Sequence, residues 1–225
     1  GEVWLNGTKI GGTSYGYLGF ESDIADIIRY DTLNVVAVRS STEGGSRWYT
    51  GGGLFRDVHL VVKDSVSIAR HGIFISTPKI STQNAEVSVQ VEVAGIKKKE
   101  LELEINTKIF SPEGKQVAET KTLAPKKSNL VEVEVLLPKV NVANPQLWSC
   151  ETPNLYSAEV TLVLNGKVID KLTEKFGIRT IEFSKELGMK LNGKNVFLKG
   201  VANHHDLGAV GAAAHKKAIA RMMDK

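Results

Sequence analysis

The chain has 225 residues, 42% apolar and 24% charged, with a net charge of +4, an ordinary composition for one or two globular domains. No apolar run approaches the roughly 18 residues that span a bilayer. The lysines are interleaved with glutamates, as where Lys97-Lys98-Lys99 precede Glu100, Glu102 and Glu104, so a solvated sheet face is expected and not a nucleic-acid patch. The single cysteine, Cys150, excludes an internal disulfide and a cysteine-based metal site, and it is read as a packed or idle thiol.

The chain opens GEVWLNGTKI, without the basic start and apolar core of a signal peptide. It reads as the middle of a hairpin, so a cut end is expected there, and the compartment, periplasmic or cytoplasmic, stays open. From Gly1 to about Lys63 a first β-region is predicted. It holds the turn Asn6-Gly7 and the cluster Gly51-Gly52-Gly53, and closes with a strand over Val58–Val62. The glycines suit a tight turn better than a phosphate cradle, because no Lys-Ser/Thr follows. The region has about half the length of a typical sandwich, so its apolar faces are expected to lack cover.

From about Asp64 to Ile181 the pattern is alternation with period two: Glu86–Val93, Glu100–Ile105, Val131–Leu137 and Glu159–Leu164 each put apolar residues on one face. That marks strands with one buried side. Asn165-Gly166, and later Asn192-Gly193, fit type I′ hairpin turns, and Ser111-Pro112-Glu113-Gly114 is a further turn. About seven strands in this span predict one immunoglobulin-like sandwich.

From about Glu182 to Lys225 the pattern changes to a hairpin, an apolar run over Val196–Val201 read as a buried strand, a polar cluster Asn203-His204-His205-Asp206, and a helix from about Ala212. Catalytic groups concentrate where a buried strand gives way to a loop, which makes this cluster the first functional candidate. Adjacent residues on extended backbone point to opposite faces, so His204 and His205 are poorly placed to share one metal ion. No metal and no cofactor is expected. Met222 and Met223 are read as core residues of the helix, Trp4 and Trp148 as core or interface aromatics, and Arg56-Asp57 as an ion pair.

Several stretches, in order, resemble family 2 glycoside hydrolases. VWLNGTKIG, Gly16–Ile28, Leu33–Ser41 and Ser46–Val62 are similar to the second half of that family's jelly-roll, sugar-binding domain. Asn144–Val163 and Phe176–Phe183 resemble the end of its immunoglobulin-like domain, and NVFLKGVANHHDLGAVG resembles the first strand and loop of its TIM barrel. The resemblance implies a mainly β chain: a partial jelly roll over 1–63, an immunoglobulin-like sandwich over 64–181, and the truncated start of a TIM barrel over 182–225. It implies a β-galactosidase-like exo-glycosidase that cleaves a terminal β-sugar from a glycoside or oligosaccharide with retention. Two glutamates do that chemistry, with carboxyls about 5–5.5 Å apart. The resemblance puts both on later barrel strands, so no residue here is assigned as acid/base or nucleophile.

The resemblance also supplies substrate contacts. His204 matches a histidine that contacts sugar hydroxyls, and Asp206 an acid that binds substrate or orients His204. His205 stands where a glutamate is usual, which leaves its role open. Arg47 stands near the place of an aspartate that reaches the sugar in galactosidases and glucuronidases, so simple transfer of their specificity is weakened; Trp48 beside it could stack on a sugar face. A membrane or nucleic-acid partner is not expected, and a homo-oligomeric parent is compatible with the sequence. A second reading is a non-catalytic carbohydrate-binding or assembly sandwich. A third is a scaffold whose open edges pair with other chains.

Overall fold

In this chain alternation becomes a core wherever two sheets face each other. The computed structural model describes residues 1–41, 53–54, 57–96, 102–125, 132–202, 207, 213 and 215–224. Among them are fourteen strands and one helix, a mainly β architecture of the kind that the alternation predicts. They fall into two units, residues 61–199 and residues 1–60 with 200–225.

The larger unit is built on a sandwich. One sheet has the order β11 (Lys167–Phe176), β10 (Tyr156–Leu164), β6 (Leu103–Phe110), β7 (Gln116–Leu123). The other has β4 (Ser67–Ile80), β5 (Asn84–Ala94), β8 (Glu132–Leu136), with β9 (Val140–Ala143) also on β5. The described ladders are antiparallel. On β5 the inward set is Ala85, Val87, Val89, Val91 and Val93, none more than 1% exposed. Facing sets come from β6 (Leu103, Ile105, Ile109) and β10 (Tyr156, Ala158, Val160, Leu162), and all join one apolar cluster. Each fully buried valine, leucine or isoleucine contributes about 1.5–3 kcal/mol of transfer free energy.

Polar groups fix the margins. The Tyr156 hydroxyl accepts from the Gln146 backbone N–H at 2.9 Å while its ring packs on Phe176. Asp170 accepts from the Ile68 N–H (2.9 Å) and the Lys171 N–H (2.8 Å), and pairs with Lys63 at 3.3 Å. Lys63 also donates to the Ile68 carbonyl at 2.6 Å. This knot ties the approach to β4 onto β11. After β5, Gly95 turns with φ +82, and a Cβ there would lie 1.8 Å from the Ser65 carbonyl oxygen, so only glycine fits.

Behind the sandwich come β12 (Ile181–Ser184), β13 (Gly188–Leu191) and β14 (Lys194–Val196), a three-stranded antiparallel meander. The apolar run expected as a buried strand over Val196–Val201 enters the ladder only at Val196. Residues 197–202 carry no strand, and Phe197 is 84% exposed. A strand persists only with a hydrogen-bonded neighbour, and none of the described residues supplies one.

The smaller unit contains β1 (Glu2–Leu5), β2 (Thr8–Gly12) and β3 (Val36–Arg39) in the order β2-β1-β3, and helix α1 (Lys216–Met223). Leu5 is its one fully buried apolar side chain among the described residues. Three expectations are corrected here. Val58–Val62 forms no strand and is exposed, because no described strand pairs with it. The predicted helix begins at Lys216, four residues past Ala212. Met222 and Met223 are exposed and not core, since α1 buries none of its residues.

Candidate functional site

Arg47, Trp48, His204, His205 and Asp206, the residues singled out from the sequence, lie outside the described residues, as do Gly51, Gly52 and Arg56. What can be built is the framework next to them in sequence. In the smaller unit, Ser40 and Gly53 flank the segment that holds Arg47 and Trp48; the Gly53 N–H donates to Ser40 Oγ at 3.4 Å. Asp57, expected to pair with Arg56, lies 3.7 Å from Lys216 on α1, with both side chains largely in solvent, a pair of little energetic weight.

In the larger unit the best-defined polar arrangement centres on Trp148, half-buried at the exit of the sandwich. Its backbone N–H donates to the Ile178 carbonyl at 2.9 Å. The Arg179 guanidinium stacks 4.8 Å from its ring centroid, within cation–π range. Gly177 lets the Trp148 side chain pack close on the connector, for a Cβ there would come within 2.8 Å of it. Asn192, first residue of the β13–β14 turn, donates through Nδ2 to the Trp148 carbonyl at 2.9 Å, and its Oδ1 accepts from the Thr180 N–H at 3.0 Å. The backbone of Asn192 adds a bond to the Thr180 carbonyl. One asparagine thus joins the meander, the Phe176–Ile181 connector and the Trp148 loop, ahead of the His204 cluster in sequence. Cys150 beside it is exposed, so its thiol is not a packing element.

Four carboxyls of the described residues are displaced in one direction. Glu151 is held below the usual carboxylate range, first by its own backbone N–H and by Ser149, with burial opposing. Glu113 is lowered by Ser111 and Gln146, Glu86 by Lys139, and Glu2 by Lys9. A general acid at neutral pH needs the opposite displacement. Among the described residues no group of three histidine, cysteine or acidic side chains could hold a metal. A shallow depression of about 100 Å³ on the β12–β13 hairpin, lined by Glu182, Phe183, Ser184, Leu187, Gly188 and Lys190, is smaller than the roughly 300–1,000 Å³ of ligand pockets.

Sequence reading found Trp148 and the Asn192-Gly193 turn but not Arg179, nor the tie that Asn192 makes. The turn dipeptide reports backbone shape only; the partners of its side chain are 12 and 44 residues away, and no local signal marks them.

The model of the glycosyl hydrolases family 2 matches residues 66–179, a span that begins just before β4 and ends at Arg179. The chain belongs to glycosyl hydrolases family 2. A beta-galactosidase of Bacteroides ovatus is 31% identical over 222 residues, covering 98% of this chain and 26% of that protein. A beta-glucuronidase of Bacteroides fragilis is 29% identical over 247 residues, covering 99% of this chain and 34% of that protein. The crystal structure of a glycosyl hydrolase family 2 member from Bacteroides cellulosilyticus superposes with a TM-score of 0.92 at 37% identity, over 99% of this chain and 30% of that one. This family 2 chain therefore spans between a quarter and about a third of these relatives.

Proposed function

We propose that the chain is a non-catalytic piece of a retaining exo-β-glycosidase of the β-galactosidase type, which hydrolyses the O-glycosidic bond of a terminal β-sugar. The observation that carries the reading is colinear similarity over 98–99% of the chain to a beta-galactosidase and a beta-glucuronidase. In this reading residues 1–63 belong to a jelly roll, 64–181 to an immunoglobulin-like sandwich, and 182–225 lead into a TIM barrel. The acid/base and the nucleophile come from sequence outside this chain. Retaining hydrolysis needs both, one carboxyl to protonate the leaving oxygen and one to attack the anomeric carbon. The four described carboxyls with displaced titration are all lowered, which suits a supporting role.

His204 then acts as a sugar-binding residue: imidazole offers one donor and one acceptor at fixed angles, and its hydrogen bond strengthens as charge develops on the sugar ring. Asp206 orients it or binds substrate directly. Arg47, basic where galactosidases and glucuronidases carry an aspartate, binds a sugar hydroxyl or an acidic sugar, with Trp48 stacking on a sugar face.

The purified chain is expected not to hydrolyse aryl β-galactosides or β-glucuronides, whereas the intact enzyme does. Turnover by the chain alone, above that of a mock purification from the same host, overturns the assignment. In the intact enzyme His204→Ala is expected to lower kcat/KM roughly thirtyfold, about 2 kcal/mol of transition-state binding. An unchanged value removes His204 from the site.

A further inference from the structure

Three times the sequence reads Leu-Asn-Gly: Leu5-Asn6-Gly7, Leu164-Asn165-Gly166 and Leu191-Asn192-Gly193. Each makes the same two-residue hairpin turn, closed by the pairs Leu5↔Thr8, Leu164↔Lys167 and Leu191↔Lys194. Backbone angles are nearly identical, with φ of 53, 50 and 50 at the asparagines and 87, 78 and 74 at the glycines. Local sequence and main-chain shape are therefore held constant, and the three sites differ in what the asparagine side chain touches.

Asn6 is pinned at both ends of its amide. Nδ2 donates to Asn34 Oδ1 at 2.9 Å, and Oδ1 accepts from the Val35 N–H at 3.0 Å. Asn192 is pinned likewise, by the Trp148 carbonyl and the Thr180 N–H, and both asparagines are half-buried. Asn165 is exposed, and its amide has no hydrogen-bond partner among the described residues.

We infer that Asn165 is a site of spontaneous deamidation and backbone isomerisation, and that the fold protects Asn6 and Asn192 from the same reaction. The Gly166 nitrogen, its proton taken by base, attacks Cγ of Asn165. A C–N bond forms, the Cγ–Nδ2 bond breaks, and ammonia leaves, closing a five-membered succinimide. Water then opens the ring at one carbonyl or the other, giving aspartate or isoaspartate. No oxidant or further reactant enters. Glycine after the asparagine leaves that nitrogen without a neighbouring Cβ. Ring closure requires the asparagine amide to rotate toward the main chain. At Asn165 it turns freely in water, whereas Asn6 must first give up three hydrogen bonds, the third a longer one from Nδ2 to the Ile27 carbonyl at 3.4 Å, and Asn192 two, which slows them by roughly tenfold or more. The isoaspartate product inserts a methylene into the main chain between Leu164 and Lys167, the pair that closes the β10–β11 turn, and either product adds a negative charge.

The test is peptide mapping by mass spectrometry of the folded chain during storage in mildly alkaline buffer, beside the same chain held in denaturant. The expected result is conversion at Asn165 at least about tenfold ahead of Asn6 and Asn192 when folded, with the three rates converging when unfolded. Asn34→Ala, which removes one tether of Asn6, is expected to move Asn6 toward the Asn165 rate. Equal rates in the folded chain overturn the inference. So does a ranking that persists unchanged in denaturant, for then sequence and not the fold sets it. Gly166→Ala is expected to suppress the Asn165 product in both states, and its failure to do so overturns the cyclic mechanism.

Discussion

β5 and β3 are both apolar, β-branched strands paired antiparallel to their neighbours, yet one is sealed and the other lies open. On β5 every second residue, from Ala85 to Val93, is removed from water. On β3, Val36 and Val38 are 58% and 39% exposed. The difference is a second layer. β5 faces the β11-β10-β6-β7 sheet, while the β2-β1-β3 ribbon has no described sheet across from it. Pairing supplies hydrogen bonds, but exclusion of water over a whole strand face requires a covering layer, so strand pattern alone does not measure how much a segment contributes to stability.

The largest expected effect tests that difference directly. Ile105→Ala in β6, at the centre of the sandwich, is expected to cost about 2–5 kcal/mol in chemical denaturation, whereas Val38→Ala should stay within about 0.5 kcal/mol. A Val38 loss that rivals the Ile105 loss would show that β3 has cover, and would erase the contrast. Next comes the edge of the sandwich. Asp170→Ala leaves the Ile68 N–H without its acceptor and Lys63 without its counter-charge, and about 2 kcal/mol is expected. A negligible change would place the approach to β4 outside the cooperative unit. Smaller still is Thr107→Val. Thr107 Oγ1 is buried in β6 without a hydrogen-bond partner, so the isosteric valine is expected to be neutral or to raise stability by up to about 1 kcal/mol. Destabilisation would reveal a partner for that hydroxyl.

The mildest effect concerns pH. Ser111 and Gln146 hold Glu113 below its ordinary value, so its ionised form favours the folded state. That contribution is present above the unfolded carboxylate range and is lost as pH falls through the folded value. Glu113→Gln should therefore flatten the fall of Tm on acidification. Superimposable Tm–pH curves for the two proteins would mean that these hydrogen bonds do not favour the ionised form.

The sandwich was legible in the sequence because β5, β6, β8 and β10 each carry two chemically different faces. Glu86–Val93 and Glu159–Leu164 state which side is buried before any partner is known, and their turns are set by residues that accept positive φ. Val58–Val62 and Val196–Val201 are apolar runs with no alternation, and such a run does not say what it pairs with. Both lie without a ladder beyond Val196, since a strand is completed by residues far away in sequence. The candidate site was legible only through resemblance. His204, His205, Asp206, Arg47 and Trp48 lie outside the described residues, and the sugar contact given to His204 follows from its place in a family pattern. Asp170 and Asn192 were missed for a related reason: their importance lies in backbone groups they reach across the fold, and backbone groups carry no sequence signature.

β4 is a margin of its sheet and, at fourteen residues, the longest described strand. Between Ile68 and Ile73 it advances five positions while β5 advances only two, from Val93 to Val91. His71 takes a left-handed φ of 54 in that stretch. Gly72 sits where a Cβ would lie 2.8 Å from the Ala69 carbonyl oxygen. A straight border of this length would offer a continuous row of donors and acceptors to any passing polypeptide. This interruption, with a second one between Ser76 and Lys79, breaks that row into three short pieces out of step with one another. The kink thereby guards the protein against fibre-like self-assembly, and ironing it out by shortening the 69–72 stretch would expose the chain to that hazard.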